Sequence, residues 1–182
     1  MSRYLPLPLA LCWVLLLSSV GWTAWYTPVE WGVSAYYHTD LDVDGANLEG
    51  SGLMVSFASR LAQDRCFTLH LRMEAMLGGL WGHGHGLEAA VVPGLRLYFG
   101  SARVRPYLEG GVGPEINALR IRELGTAFNF LSYGGGGLRF VLSKGMNLEL
   151  GYRVRHISNA GISEQNHGVT SQQVQVGLSF PF

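Results

Sequence analysis

The chain is poor in charge, in cysteine and in long apolar stretches, and each shortage removes a class of protein. Lys, Arg, Asp and Glu make up only 14% of its 182 residues, against about 25% in an ordinary soluble protein, so little charge is available to cover a water-facing surface. The 13 basic and 13 acidic residues cancel, which leaves no basic stripe for a nucleic-acid partner. The two cysteines are Cys12 and Cys66. Cys12 lies within an N-terminal apolar run, so a chain that loses this run keeps Cys66 alone and forms no internal disulfide. Cys66 then reads as a small buried residue. Past that run no segment reaches the roughly 18 continuous apolar residues that mark a membrane helix. A spanning helix is excluded there, but a spanning barrel is not. What the chain has in quantity is glycine, 25 residues without a fixed repeat, which suits tight turns and close strand packing better than long helices.

The N-terminus carries Arg3, the apolar run from Leu5 to Leu17, and the small polar pair Ser18-Ser19. This is the layout of a secretory signal, and the run is short for a membrane helix, which needs about 20 residues. Residues 1–24 are therefore expected to be a signal peptide, cut after Gly21 or Ala24, with 25–182 as the mature domain. Leu11 is too large for the residue before a lipoprotein cysteine, so lipidation at Cys12 is not expected.

From about residue 28 the apolar residues alternate with period two. Val29, Trp31, Val33, Ala35 and Tyr37 form one such face, and Leu53, Val55 and Phe57 the next. Phe67, Leu69, Leu71, Met73 and Leu77 continue the pattern, followed by Leu87 to Phe99 at odd positions. Val104, Pro106, Leu108, Val112 and Ile116 then oppose Arg103, Arg105, Tyr107, Glu109 and Glu115. Further segments run from about Phe128 to Leu142, Asn147 to Ser158 and Gln172 to Phe182. Large aliphatic residues on one face and charges on the other predict an all-β, eight-stranded antiparallel transmembrane barrel of the bacterial outer membrane, with carboxylates and guanidiniums pairing in its lumen. Connections at 63–64, 101–102 and 143–145 are short, whereas those at 40–50, 81–86, 120–126 and 159–171 are longer. That alternation puts the long ones outside the cell. Gln175, Gly177, Phe180 and the terminal Phe182 resemble the C-terminal signal read by the barrel assembly machinery.

On the seventh segment Leu148, Leu150, Tyr152 and Val154 are the apolar face, so parity carries His156 and Ser158 onto the lipid side. A histidine and a serine at i and i+2 share a face and form a candidate base and nucleophile. Placed near the outer leaflet, they would avoid the full cost of polar groups in hydrocarbon. If the turn at 143–145 sets a simple hairpin register, Ser132 neighbours His156 while Gly134 and Gly136 neighbour Val154 and Tyr152. The glycines would leave a furrow able to seat an acyl chain, or would merely relieve crowding in a narrow barrel.

The run His156-Ile157-Ser158-Asn159-Ala160-Gly161, with Asn166 and Gly168 beyond it, resembles the outer-membrane lipid A 3-O-deacylase family, whose His-x-Ser-Asn-Ala-Gly motif lies on the last-but-one strand of a small barrel. The resemblance implies hydrolysis of an acyl ester of lipopolysaccharide without a cofactor or a metal. Ser158 would be the nucleophile, His156 the base, and Asn159 or Asn166 the oxyanion support. It also implies a glutamate where this chain has Thr170, and a hydroxyl cannot neutralise an imidazolium as a carboxylate does. Glu164, in the same loop, is the candidate substitute acid. Outer-membrane phospholipase A carries the similar His-x-Ser-Asn-Gly and stands as the enzymatic alternative, though its barrel is larger than this chain builds. A catalytically silent lipid-binding barrel is the alternative from another class.

The partners implied are lipopolysaccharide, outer-membrane lipid and the assembly machinery acting through Phe182, with a homodimer left open and nucleic acid excluded. Residues 40–51 resemble the start of a calcium loop, but Ser51 stands at its twelfth position in place of glutamate, and Asp44-Gly45 is better read as a hairpin turn. His83 and His85 lack further ligands nearby.

Overall fold

The structure, a computed structural model, describes residues 27–41, 48–82, 84–118, 124–164 and 167–182. The expected signal peptide, the residues of the calcium-like loop at 42–47, His83 and Asn166 lie outside them. The alternating segments become β1 (Glu30–Asp40), β2 (Glu49–Gln63), β3 (Phe67–Trp81), β4 (His85–Phe99), β5 (Val104–Asn117), β6 (Phe128–Val141), β7 (Asn147–Ser158) and β8 (Val169–Pro181). Each pairs antiparallel with its chain neighbours, and β8 closes on β1 to complete an eight-stranded barrel. Closure leaves no unpaired strand edge, which is what a sheet in hydrocarbon requires.

The parity read from the sequence holds throughout the wall. Leu53, Leu77, Leu87, Leu108, Val112 and Ile116 point outward and are more than half exposed, while Met54, Met76, Val92 and Ile157 point inward and are buried. Aromatic pairs sit at both ends of the apolar band, Trp31 against Phe180 and Phe57 toward Phe182 at one end, Tyr37 with Trp81 and Phe128 with Phe130 at the other. Two such girdles mark the lipid–water boundaries of an outer-membrane barrel.

The lumen is filled by ion pairs. Arg153 joins Glu74 and Glu109, each at 2.7 Å, and Arg96 joins Glu109 at 2.6 Å and also Glu149. Arg139 links Glu149 to Glu30 at the short-turn end, both at 2.5 Å. Toward the other end Glu88 accepts from Arg155 at 2.8 Å and lies 3.1 Å from His38. Charges buried this deeply are tolerated only when every partner is present. Arg153→Met takes one partner from Glu74 and one from Glu109 at once, leaving them to Arg72 and Arg96, and should destabilise the barrel by about 3 kcal/mol, read as a lower urea midpoint for loss of the heat-modifiable band in detergent.

Three expectations fail at or beside the connections. The link between β3 and β4 is only 82–84, as short as those at the opposite end, because the alternation persists to Trp81, whose indole N–H donates to Glu49 at 2.9 Å and keeps the strand in the wall. Cys66 is exposed, not buried: it lies in the β2–β3 turn, where its backbone N–H donates to the Asp64 carboxylate at 2.6 Å. β8 also begins at Val169, earlier than expected, so Thr170 belongs to the sheet and not to a loop.

Candidate active site

β7 starts after the 3-10 turn Ser143–Gly145 and runs toward the long-loop end. Its alternation sends Arg153 and Arg155 into the lumen, both 1% exposed, and turns His156 and Ser158 to the outer wall, both half-buried. The β6–β7 register is the one the turn implies: Ser132 faces His156, Gly134 faces Val154 and Gly136 faces Tyr152. On the other side His156 faces Thr170. The imidazole thus sits between hydroxyl-bearing residues on both neighbouring strands.

His156 Nδ1 lies 2.9 Å from Thr170 Oγ1, so the residue that stands where the resemblance implies an acid does engage the histidine. The bond differs in kind from one to a carboxylate. A carboxylate only accepts and holds the proton on Nδ1, leaving Nε2 as base, whereas a hydroxyl can donate or accept and leaves both tautomers open. The remaining ring edge is held by Gly168, whose φ is +75°. A Cβ built there would lie 2.5 Å from Cε1 and 2.8 Å from Nε2 of His156. Gly168 directly precedes Val169, which pairs with Ile157, so the Nε2 edge lies against the entry to β8. The Ser158 hydroxyl makes no hydrogen bond among the described residues.

Gly168→Ala should push the ring off this position and strain a left-handed residue by about 1–2 kcal/mol. A displacement on the order of 1 Å costs about a hundredfold in rate. For the ester hydrolysis that the resemblance implies, the expected result is a folded barrel whose kcat falls about that far with KM little changed, measured on lipid A in detergent micelles.

Asn159 takes a different place from the one its motif suggests. It is fully buried on the lumen side, its amide donating to the Leu124 carbonyl at 2.7 Å and its Oδ1 accepting from the Gly161 N–H at 2.8 Å. The side chain therefore builds the turn after Ser158, where Ala160 adopts φ +53°, and ties that turn to the β5–β6 connection. It is not presented to Ser158. Glu164 is exposed in the β7–β8 loop and forms no hydrogen bond or ion pair to His156. His85 begins β4, and among the described residues no group of metal-ligating side chains assembles.

Below His156 the outer wall is shallow. Gly134 is exposed, with no atom within 4 Å of an added Cβ, and its β5 partner is Gly110, which also lacks a side chain. Leu95, Val112, Leu108, Val154 and Tyr152 border this depression. At Gly136 the Leu108 side chain leans in, 3.2 Å from an added Cβ, so the open part spreads sideways to Gly110 before it reaches Gly136. Ser132 sits at its head, its hydroxyl 3.4 Å from the His156 carbonyl.

The comparisons with known proteins agree with the eight-stranded barrel. A crystal structure of the outer-membrane enzyme PagL superposes with a TM-score of 0.67 at 23% identity, covering 83% of this chain and 99% of that one. Neisserial surface protein A superposes at 0.56 with 12% identity, covering 85% and 96%. At those identities the likeness shows the fold. In sequence, the lipid A deacylase PagL of Bordetella bronchiseptica is 31% identical over 100 residues, 53% of this chain and 52% of the relative. That of Pseudomonas aeruginosa is 33% identical over 98 residues, 52% and 53%. The chain thus spans about half the length of the relatives it matches. The family model for lipid A 3-O-deacylase (PagL) matches residues 13–179, which takes in β1 to β7, β8 as far as Ser179 and the whole His-x-Ser segment, and the chain belongs to that family.

Proposed function

We propose that this protein is a lipid A deacylase that hydrolyses an acyl ester, the 3-O ester by family, of lipopolysaccharide in the outer leaflet, with Ser158 as nucleophile and His156 as base. The observation that carries the reading is the joint placement of His156 and Ser158 on the lipid-facing wall at the long-loop end of β7. A soluble serine hydrolase aims its nucleophile into a cleft; here the substrate already lies against the wall as part of the membrane. Residues 1–24 serve as the export signal, and the terminal Phe182 recruits the assembly machinery.

Ser158 Oγ attacks the ester carbonyl as His156 Nε2 takes its proton. The imidazolium then gives that proton to the departing sugar oxygen, and water, activated by the same histidine, releases the acyl group from Ser158. Asn166 remains the side-chain candidate for the oxyanion, since the Asn159 amide is committed on the other face. The depression at Gly110 and Gly134 seats the hydrocarbon of the scissile acyl chain, with Ser132 and Gly136 at its two ends. Mass spectrometry of lipid A from cells with and without the protein tests the proposal: loss of one ester-linked chain is expected, and an unchanged profile refutes it. A second reading, a lipid-binding barrel without activity, is favoured by one feature, the hydroxyl in place of the carboxylate behind His156.

A further inference from the structure

Besides the ion-paired arginines of the lumen, the described cations gather at one rim. Arg60, Arg65 and Arg103 are exposed and Arg105 is half-buried, and all lie at the short-turn end. Exposed acids at the opposite end include Glu164. None of the four arginines enters an ion pair among the described residues. The nearby carboxylate, Asp64, gives its Oδ1 to the backbone N–H groups of Cys66 and Phe67 at 2.6 and 2.9 Å and pairs with none of the four. The turns bearing these arginines are bound to one another: the Gly100 N–H donates to the Cys66 carbonyl at 2.7 Å, and the Val141 N–H to the Arg103 carbonyl at 2.8 Å. Arg105 springs from the lumen face of β5, opposite Arg139, and its Nε donates to the Ala102 carbonyl in the turn at 3.0 Å, which draws its guanidinium to the rim and leaves the rest of it for another acceptor.

We propose that Arg65, Arg103 and Arg105 form a binding surface for the phosphate of an anionic phospholipid in the leaflet facing the short turns. What selects a lipid over a soluble acidic partner is the belt directly beside them. Phe67, Phe99, Val104 and Leu142 are each 37–46% exposed and set the hydrocarbon boundary at this height, so the guanidiniums fall at headgroup depth. Guanidinium forks match phosphate oxygens in pairs, and basic residues near a membrane surface draw anionic lipid. In outer-membrane barrels the short turns face the periplasm, so the two rims meet different lipids: the proposed substrate at one, glycerophospholipid at the other.

The test uses the full folded barrel in phosphatidylcholine vesicles containing a trace of spin-labelled phosphatidylglycerol or, in parallel, spin-labelled phosphatidylcholine. The fraction of label immobilised at the protein is measured. Phosphatidylglycerol should be favoured about fivefold at low ionic strength, with the preference shrinking in high salt. In Arg65→Gln/Arg103→Gln/Arg105→Gln it should fall to parity. Parity in the unmodified protein, or an undiminished preference in the triple variant, overturns the proposal. Should the triple variant fail to show a heat-modifiable band, Arg65→Gln and Arg103→Gln alone must each reduce the preference, and no reduction in either is equally fatal. Because the rim is remote from His156, loss of lipid selectivity with lipid A cleavage intact separates this proposal from the esterase reading.

Discussion

Ser158→Ala and His156→Ala barrels should migrate as folded, heat-modifiable protein and lose lipid A deacylation by about a thousandfold or more, the scale on which nucleophile and base act as a unit. Folding survives because neither side chain holds the wall together. Ser158 has no hydrogen-bond partner among the described residues, and His156 bonds only sideways to Thr170. The double variant should be no worse than either single one, since the proton transfer needs both groups. Unchanged lipid A cleavage in Ser158→Ala would eliminate the serine-hydrolase mechanism, while activity lost together with the heat-modifiable band would show a structural role instead.

Thr170→Glu should act in the opposite direction. Thr170 is already 2.9 Å from Nδ1, so a carboxylate introduced on the same backbone reaches the ring, fixes the proton on Nδ1 and stabilises the imidazolium formed during attack. Turnover should rise about tenfold or more, a modest share of what general-base catalysis supplies. The companion variant is Glu164→Gln. Glu164 stands apart from His156 in the ligand-free structure, so this change should leave turnover near the unmodified level. A large loss in Glu164→Gln with no gain in Thr170→Glu would mean that the loop brings Glu164 to the histidine once substrate binds. If neither variant changes turnover while His156→Ala still abolishes it, the site works as a Ser–His dyad.

The wall of the barrel was legible in the sequence because its physics is local. Period-two alternation decides which face meets lipid, and a tight turn decides register, so the outward parity of His156 and Ser158 and the pairing of Ser132 with His156 both followed from a few residues. The lumen was legible only in kind. That Arg139 would meet Glu30 depends on how the strands stagger as the sheet closes, and no short stretch records that. The same limit hid the part played by Gly168, whose contact with the imidazole arises from β8 passing beside β7. Asn159 misled for a different reason: the motif names the residue, but the strand alternation that turns Arg153, Arg155 and Ile157 inward carries Asn159 inward with them. Cys66 shows that a small apolar side chain carries little positional information when an Asx turn claims its backbone.

The two-sidedness of β7 bears on quality control during assembly. Arg153 and Arg155 alternate with Val154, His156 and Ser158 along one strand, so sliding β7 by one residue against β6 would deliver both guanidiniums to hydrocarbon and both polar outer residues to the lumen. At about 2–4 kcal/mol for each arginine near the bilayer midplane, with the carboxylates left behind unpaired as a further cost, such a misthreaded barrel has no stable resting place. Every molecule that reaches the membrane intact therefore carries its histidine and serine on the correct side, and a preparation of folded protein should contain no inactive register isomers to dilute its specific activity.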